Sequence, residues 1–581
     1  MMTNKNWVLV DALTLVLKEL GVEFVFGVSG ANIEHFHDAI YRLGDDKLTA
    51  ILAKSEFSAA FMADGRARAH RTLGVCCATS GGGMTNLAVG IAEAYADNVP
   101  LLAIVGQPPT QLEGKGAFQD SSGENKTVDG LSFWRSITKY AAKITQAAQF
   151  WECLEQALKH LFQGNLGPCA LLIPRDLFTT QVPARPAYFS TKLSDYQSVC
   201  SVDRRLILKL DHLLAASRKP LIIIGKYARF HDFRLGIKRF VTHFDCRVAT
   251  TIADVNAFSH ADSHYLGMVG VCGHPQAHSF IKDEADLIIV LEDDLSVMTT
   301  ASIQSYLNEK TLVFLGLDST KARAAASIDL VIEGAPCDIL ASVAYSDRRV
   351  SLAHPKREMK MPATQSAIAS SEPAPQMGLS VNHTIPVIES VLPHVDTVVF
   401  DAGNCVTSVL HHLTLPEKIT TLIALGMGGM GYAIPAAIGA QIGYKKRRKT
   451  LVFTGDGGFF ITGLEVHTAI EYSLPILFIV FNNSSHGMCV TRQQLYFSNR
   501  IIASRYRNID ITQVVKGLGD ATRLWCACAN DVQGLHYSLD DYYTQHSHMP
   551  GVLEIKIAMD EMPPFVPFLE RKSQLEGRKG N

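Results

Sequence analysis

The segment from Gly455 to Asn483 reads GDGGFFITGLEVHTAIEYSLPILFIVFNN: an acid inside a glycine turn, then a helical stretch, an apolar strand and two asparagines. These residue types suit a hard divalent cation held together with a phosphate. Mg2+ takes about six oxygens, one or two from protein carboxylate or amide side chains and the rest from carbonyls, water and phosphate. Asp456 supplies a charged oxygen and Asn483 a neutral one. The intervening helix and strand put both at carboxyl ends of parallel strands, where open α/β sheets bind ligands. Gly455, Gly457 and Gly458 let backbone N–H groups approach phosphate oxygens, and the helix start that follows adds a favourable dipole. The plain alternative is a turn and an asparagine corner; turn, helix, strand and paired asparagines in this order favour the cation site.

A second glycine cluster lies upstream. In LIALGMGGMGYAIPAAIGA, Gly426, Gly428 and Gly431 satisfy Gly-x-Gly-x-x-Gly between an apolar run and a helical one, and Asp456 ends the next strand, where a ribose-binding acid is expected. Taken alone, that pattern describes a dinucleotide fold and an NAD-binding dehydrogenase. Against it, the pattern is frequent by chance, and the Gly455 to Gly458 turn crowds backbone against a phosphate instead of presenting a carboxylate to a ribose.

Short apolar runs alternating with amphipathic helical stretches must carry these residues. VEFVFGV, LTAILA, LGVCCATS, PLLAIVGQ and ALLIPRD form one such series, KPLIIIG, CRVATTI, ADLIIVLED and TLVFLGLD a second, and TVVFDAG, KTLVFTGD, PILFIVFNN and GVLEIKI a third. Strands separated by helices imply parallel βαβ units, so the expected fold is α/β with three doubly wound parallel-sheet domains. Their expected bounds are 1–190, 191–350 and 385–581. Residues 351–384, rich in Pro, Ser, Ala and charge without periodicity, read as a linker. The middle domain carries no chemical motif of its own.

Bulk properties set the remaining limits. A chain of 581 residues exceeds one core. A formal charge of −2 gives no field to gather nucleic acid or an anionic membrane, and the one dense basic run, KKRRK at Lys445 to Lys449, reads as a solvated helix end or loop. The twelve cysteines lack Cys-x-x-Cys spacing, which points to reduced thiols. The N-terminal stretch has charges interrupting its apolar positions, unlike a signal peptide or a span. A cytoplasmic protein without membrane or nucleic-acid partners is expected.

The Gly455 to Asn483 segment resembles the diphosphate and metal motif of thiamine-diphosphate (ThDP) enzymes, a GDG followed after a helix and a strand by NN, and the likeness extends over nearly the whole chain. It implies Mg2+ bound by Asp456, Asn483 and the carbonyl of Ser485, with the diphosphate near Gly455, Gly457 and Gly458. Asn404, His486, Gly487 and Met488 fall among the implied cofactor-binding positions; for His486, contact with the diphosphate or a proton-moving role competes with a structural one. Gly428 matches the residue whose carbonyl accepts from the 4'-amino group, and Met430 the large apolar residue that props the cofactor. A ThDP enzyme also needs a carboxylic acid against N1' of the aminopyrimidine. Glu56, in AKSEFSAAFMADGRARA, resembles that residue, and TSGGGMTNLAVGIAEAYADNVPLLAIVGQ resembles the rest of the pyrimidine-binding domain; a helix-start glutamate can also simply favour the dipole. Ala59, Ala60, Ala63, Gly65 and Ala67 permit close packing of its helix. The family pairs the pyrimidine domain of one subunit with the diphosphate domain of another, implying a homodimer or homotetramer.

Within the family, the acetolactate synthase group is most similar. GAFQD, Gly116 to Asp120, resembles its Ala-Phe-Gln-Glu loop, so that Phe118 and Gln119 would line the active site beside Glu56. Pyruvate-decarboxylase-like members place an aspartate where Ala31 stands and a His-His pair that is missing here before residue 411. The absence of those proton-handling groups favours carbon attack on a second carbonyl over protonation. The implied reaction is decarboxylation of a small 2-oxo acid, pyruvate or a homologue, with carboligation of the acyl unit to an aldehyde or ketone; a non-oxidative decarboxylase is the alternative. Departures from the group are an apparent insertion, SSGENKTVDG, and Arg492 where a tryptophan borders the acceptor pocket. Arg492 either clamps a carboxylate or phosphate or faces water. Leu291 to Leu295, LEDDL, stands where the flavin segment has two arginines, which argues against FAD.

Overall fold

The computed structural model describes residues 7–197, 202–225, 234–344, 378–444 and 448–579. The first domain holds β1 (Phe24–Gly27), β2 (Thr49–Leu52), β3 (Gly74–Ala78), β4 (Leu101–Gln107), β5 (Tyr140–Lys143) and β6 (Cys169–Pro174) in the order β2-β1-β3-β4-β6-β5. The middle domain holds β7 (Pro220–Ile224), β8 (Arg247–Thr250), β9 (Tyr265–Met268), β10 (Leu287–Leu291), β11 (Thr311–Gly316) and β12 (Leu330–Glu333), ordered β12-β11-β10-β7-β8-β9. The third holds β13 (Thr397–Phe400), β14 (Thr420–Ile423), β15 (Thr450–Gly455), β16 (Ile476–Asn482), β17 (Trp525–Ala529) and β18 (Gly551–Lys556), ordered β14-β13-β15-β16-β18-β17. Every ladder is parallel. The expected fold class of three doubly wound α/β domains is therefore the observed one.

Four strands escape the apolar-run reading, β5, β9, β12 and β17, and β14 shows only as the apolar run before the glycine cluster. Each is a sheet edge. Central strands such as β4 and β16 are buried on both faces and read as continuous apolar runs. Edge strands are short and partly open, as in Tyr140–Lys143 and Leu330–Glu333, so their signal fades. The expected linker also runs too far. Val381 to Thr384 form the first turn of a helix, Val381–Val391, whose N-cap Ser380 accepts from the Asn382 amide. Residues 351–377 of the linker, and Lys445 to Arg447 of the basic run, lie outside the described residues; Arg448 stacks over the Tyr444 ring.

The first and third domains share one hydrophobic core. Helix Glu56–His70 crosses helix Ala433–Ile442 at backbone distance: a Cβ on Gly65 would overlap the Ala436 carbonyl, and one on Gly439 would overlap that of Met62. The small residues of EFSAAFMADGRARAH thus serve the close packing expected of them. The described cysteines are free thiols, and no helix among the described residues is long and apolar enough to cross a membrane.

The middle and third domains meet through histidines. His274 and His411 stack with centroids 4.4 Å apart; His274 Nε2 bonds the His411 carbonyl at 2.9 Å and its Nδ1 accepts from the Met268 amide at 2.9 Å. That pairing requires a neutral ring, because a protonated Nδ1 would face an N–H. Burial, then the neighbouring His411, pushes His274 and His412 down to about 4. With folded affinities below the ordinary 6.5, stability is complete above pH 6.5 and is lost as pH falls toward about 4. The unfolding free energy from urea titration is expected to fall over that window, by about 1–3 kcal/mol for His274 and by less for half-buried His412, and His274→Gln to flatten the slope. A pH-independent midpoint between 6.5 and 5 would contradict this.

Candidate functional site

Asp456 is the first residue of helix Asp456–Thr462, at the carboxyl end of β15. It is buried, and its two oxygens accept from Gly457 N at 2.9 Å and Ser484 N at 2.7 Å. Burial raises its proton affinity above the usual carboxylate range, against these hydrogen bonds. Beyond β16, Asn482 and Asn483 part ways. Asn482 is buried and structural: its amide donates to the Ile509 carbonyl at 2.9 Å and Glu554 Oε1 at 2.6 Å. Asn483 is half-buried and accepts from Ser485 N at 3.1 Å.

Around them lie buried polar atoms without partners: Asn404 Oδ1, Ser485 Oγ and His486 Nδ1. Two of these residues, Asn404 and His486, flank the glycines of the turn and of the following helix start. A Cβ on Gly457 would come within 2.9 Å of His486 Nδ1, and one on Gly487 within 3.3 Å of both the Asn404 and Asn483 amide nitrogens. Gly457 thus leaves open a cradle that a side chain would fill. Buried polar atoms are normally paired, so unpaired ones beside a buried carboxylate fit a site for a polar ligand. Among the described residues, no group of three or more His, Cys, Asp or Glu could hold a metal alone. A cation at Asp456 therefore needs neutral oxygens and those of a bound anion, which is the donor set of Mg2+ with a diphosphate.

Tyr506 joins this site from about two dozen residues down the chain. A bridge between Ser485 and Arg505 and a bond from Tyr506 N to the Ser484 carbonyl at 3.1 Å bring it beside His486, ring centroids 5.5 Å apart. Burial and then the Asp456 carboxylate push its phenol well above the ordinary range. Nothing in the spacing of the sequence marks it. Asp401, the residue just after β13 in TVVFDAG, is a second such residue: buried, it accepts from Ala402 N, Gly431 N and Thr454 Oγ1 at 2.8, 2.9 and 3.0 Å. An acid at the carboxyl end of an apolar strand is the signal that would have found it.

Gly426, Gly428, Met430 and Gly431 lie in a long loop between β14 and helix Ala433–Ile442, with Gly428 exposed and Met430 half-buried. This overturns the dinucleotide alternative. A dinucleotide fingerprint needs a tight strand-to-helix turn. Moreover β13 separates β14 from β15, so Asp456 does not end a neighbouring strand.

The first domain contributes a second constellation. Glu56 begins helix Glu56–His70 after its N-cap Ser55, and its Oε2 accepts from Asn86 Nδ2 at 3.2 Å. Thr79 sits just past β3 and donates to Gln119 Oε1 at 2.9 Å, while its Oγ1 accepts from Asn32 N at 3.3 Å. Asn32 also donates to Ser80 at 2.8 Å. Thr79 and Ser80, which open the TSGGG stretch but carried no role in the sequence reading, therefore draw Ala31 and Gln119 together. A Cβ on Gly83 would lie 3.1 Å from Glu56 Oε1 and 2.9 Å from Thr79 Cγ2, which puts Glu56 in the same group. Phe118 projects outward, 78% exposed. The SSGENKTVDG segment folds back on itself through a Ser122 to Asp129 bridge. Met488 and Arg492 lie on helix Gly487–Tyr496, Arg492 exposed. Among the described residues, no hydrogen bond joins the Glu56 group to the Asp456 group.

Three parallel α/β domains, with buried Asp456 at a strand end of the third and Glu56 at a helix start of the first, frame the comparison with known proteins. Three family descriptions match in order: "Thiamine pyrophosphate enzyme, N-terminal TPP binding domain" at residues 8–127, its central domain at 207–343 and its C-terminal TPP binding domain at 401–541. The chain belongs to the thiamine pyrophosphate enzyme family. Its sequence groups there with acetolactate synthase large subunits. It is 28% identical to that of Lactococcus lactis over 503 residues, covering 83% of this chain and 82% of the relative. To the isozyme 1 large subunit of Escherichia coli it is 25% identical over 574 residues, 97% of each. A solved structure from Mycobacterium smegmatis, a candidate thiamin diphosphate-dependent enzyme, shares the fold with a TM-score of 0.77 at 19% identity, covering 95% of this chain and 100% of that one.

The split between the two asparagines is testable without ligand. Asn482→Ala is expected to cost about 2–3 kcal/mol in urea unfolding of the apo protein, because it strips buried Glu554 of a donor. Asn483→Ala should cost less than about 1 kcal/mol. Equal losses would contradict the division.

Proposed function

We propose that the chain catalyses Mg2+- and ThDP-dependent decarboxylation of a small 2-oxo acid, pyruvate or a homologue, and transfers the acyl unit to an aldehyde or ketone. The observation that carries this reading is the set of unpartnered atoms of Asn404, Ser485 and His486 around buried Asp456. Asp456, Asn483 and the Ser485 carbonyl would hold Mg2+, and Gly455, Gly457, Gly458, His486, Gly487 and Met488 the diphosphate. Gly428 and Met430 would receive the aminopyrimidine. When bound, thiamine diphosphate supplies the carbon centre that takes up the 2-oxo acid, releases carbon dioxide and passes on the acyl unit.

Glu56 holds a proton against the pyrimidine N1' and so sets its tautomer. Gln119, its Oε1 held by the Thr79 hydroxyl, would orient the reacting carbonyl through its amide N–H, and Phe118 would exclude water once a second copy covers it. Ala31 and the neighbouring Asn32 bring no titratable group to this edge, which supports carboligation over protonation of the acyl unit. Relatives named acetolactate synthase support the same choice. Arg492 is the candidate clamp for an acceptor carboxylate or phosphate.

Each half-site borders exposed apolar surface, Phe118 on one side and Met427, Phe460 and Leu464 on the other. This supports a homodimer, or a homotetramer built from it, in which Glu56 of one copy meets the Asp456 group of the next. The reading includes no flavin: in the LEDDL segment the buried Glu292 carboxyl accepts from Leu317 N at 2.8 Å, and burial pushes it up to about 8. Free thiols fit a reducing compartment, the cytoplasm.

Anaerobic incubation with ThDP, Mg2+, a panel of 2-oxo acids and trapping aldehydes, followed by mass spectrometry, is expected to yield 2-hydroxy ketones. Release of free aldehyde alone would favour the decarboxylase. Glu56→Gln should lower turnover by about 10²–10⁴ with folding intact; near-wild-type turnover would sink the role of Glu56.

A further inference from the structure

We propose that Glu93 is a positioning residue for the loop that receives the aminopyrimidine, fixing Gly426 and Met427 so that Gly428 and Met430 keep their places; this rests on the ThDP reading above.

Glu93 lies in helix Gly82–Ala96 of the first domain and is 1% exposed. Its Oε1 accepts from Gly426 N at 2.8 Å and its Oε2 from Met427 N at 2.6 Å. Two neighbours from the same domain take hold of the loop's root. Arg68 Nη1 donates to the Ile423 carbonyl at 2.9 Å, and Asp97 Oδ2 accepts from Leu425 N at 3.4 Å. At the other end Gly431 N is held by Asp401 at 2.9 Å. Gly428 to Met430 are the stretch between these two clamps.

The charge balance shows that Glu93 is not there to stabilise the core. Fully buried Arg68 is already paired with Asp64, at 2.5 Å from Nε, and with Asp97 at 3.0 Å; Asp64 also accepts from the Tyr432 hydroxyl at 2.7 Å. Glu93 stands 3.9 Å from the guanidinium. It is a third buried carboxylate around one cation, which burial and then Asp97 push up to about 7. A buried acid without a close counter-charge costs stability. What Glu93 gains in return is the pair of loop amides. A single carboxylate accepting from two successive N–H groups fixes their two peptide planes, those that carry the Leu425 and Gly426 carbonyls, and with them the point from which the chain enters Gly428.

The neutral isostere separates these roles. Glutamine offers one oxygen and one NH2, so in Glu93→Gln one of the two loop amides faces a donor and is released. Glu93→Asp keeps the charge but shortens the reach, with the same consequence, and serves if the glutamine variant is unstable. Three readouts are taken on the full chain: ThDP affinity in Mg2+ by fluorescence quenching, hydrogen exchange of the peptide spanning residues 424–431, and the split between kcat and KM for the 2-oxo acid. Expected are a ThDP Kd raised about tenfold or more, faster exchange confined to that peptide, a lower kcat with unchanged KM, and a urea midpoint no lower than that of wild type for Glu93→Gln. A folded variant with wild-type Kd and wild-type exchange would overturn the inference and leave the ThDP reading standing. Wild-type protein that binds no ThDP in Mg2+ would overturn that reading and the inference with it.

Discussion

The chain depends on one close approach, the crossing of helix Glu56–His70 over helix Ala433–Ile442. Gly65 and Gly439 let the two backbones touch, and a side chain at either position would force the helices apart. Because packed interiors do not deform continuously, that contact sets the place of everything the two domains present to each other. It brings Arg68 within reach of the Ile423 carbonyl and leaves the end of helix Gly82–Ala96 beneath the Gly426 to Met430 loop. The first domain thus holds the Gly426 to Met430 loop of its own chain, while its own Glu56 pairs with Asn86 of the same domain.

The electrostatics of the site run against stability of the empty protein. Asp401 and Asp456 are buried acids whose proton affinity burial raises, and Asn404, Ser485 and His486 leave polar atoms unpaired. Such groups cost free energy in the folded chain unless something pairs with them. The proposed divalent cation and diphosphate would supply positive charge at Asp456 and partners for the unpaired atoms, and their binding is then expected to stabilise the third domain. The apolar residues exposed beside the two half-sites follow the same logic: Phe118 and Phe460 are costly in water and inexpensive beneath a second copy.

The acids of the chain divide by their partners. Asp456 accepts from two backbone amides and keeps its outer face for a ligand, whereas Asp64 and Asp97 are consumed by Arg68. Glu93 belongs to neither group, being bound to backbone alone at close range. Asn482 and Asn483 make the same point with identical chemistry: one is spent on Glu554 and the Ile509 carbonyl, the other is left for the site.

Residue type and local order settled the α/β class and the parallel sheets, and marked the GDG-to-NN segment as the candidate site, because a central strand, its helix and its terminal turn are neighbours in the chain and leave period and spacing in it. Edge strands such as Tyr140–Lys143 and Trp525–Ala529 left little trace, since their pairing partners rather than their own apolarity make them strands. Glu56 was legible only through likeness to a family, for nothing local distinguishes it from an ordinary helix-start glutamate. Only the tertiary structure decided that Tyr506 and Asp401 border Asp456, that Thr79 joins Gln119 to the Ala31 loop, and that Glu93 holds Gly426 and Met427. Those contacts join residues far apart in the chain, and which distant amide a carboxylate meets is set by how helices and sheets pack, information that spacing along a sequence does not carry.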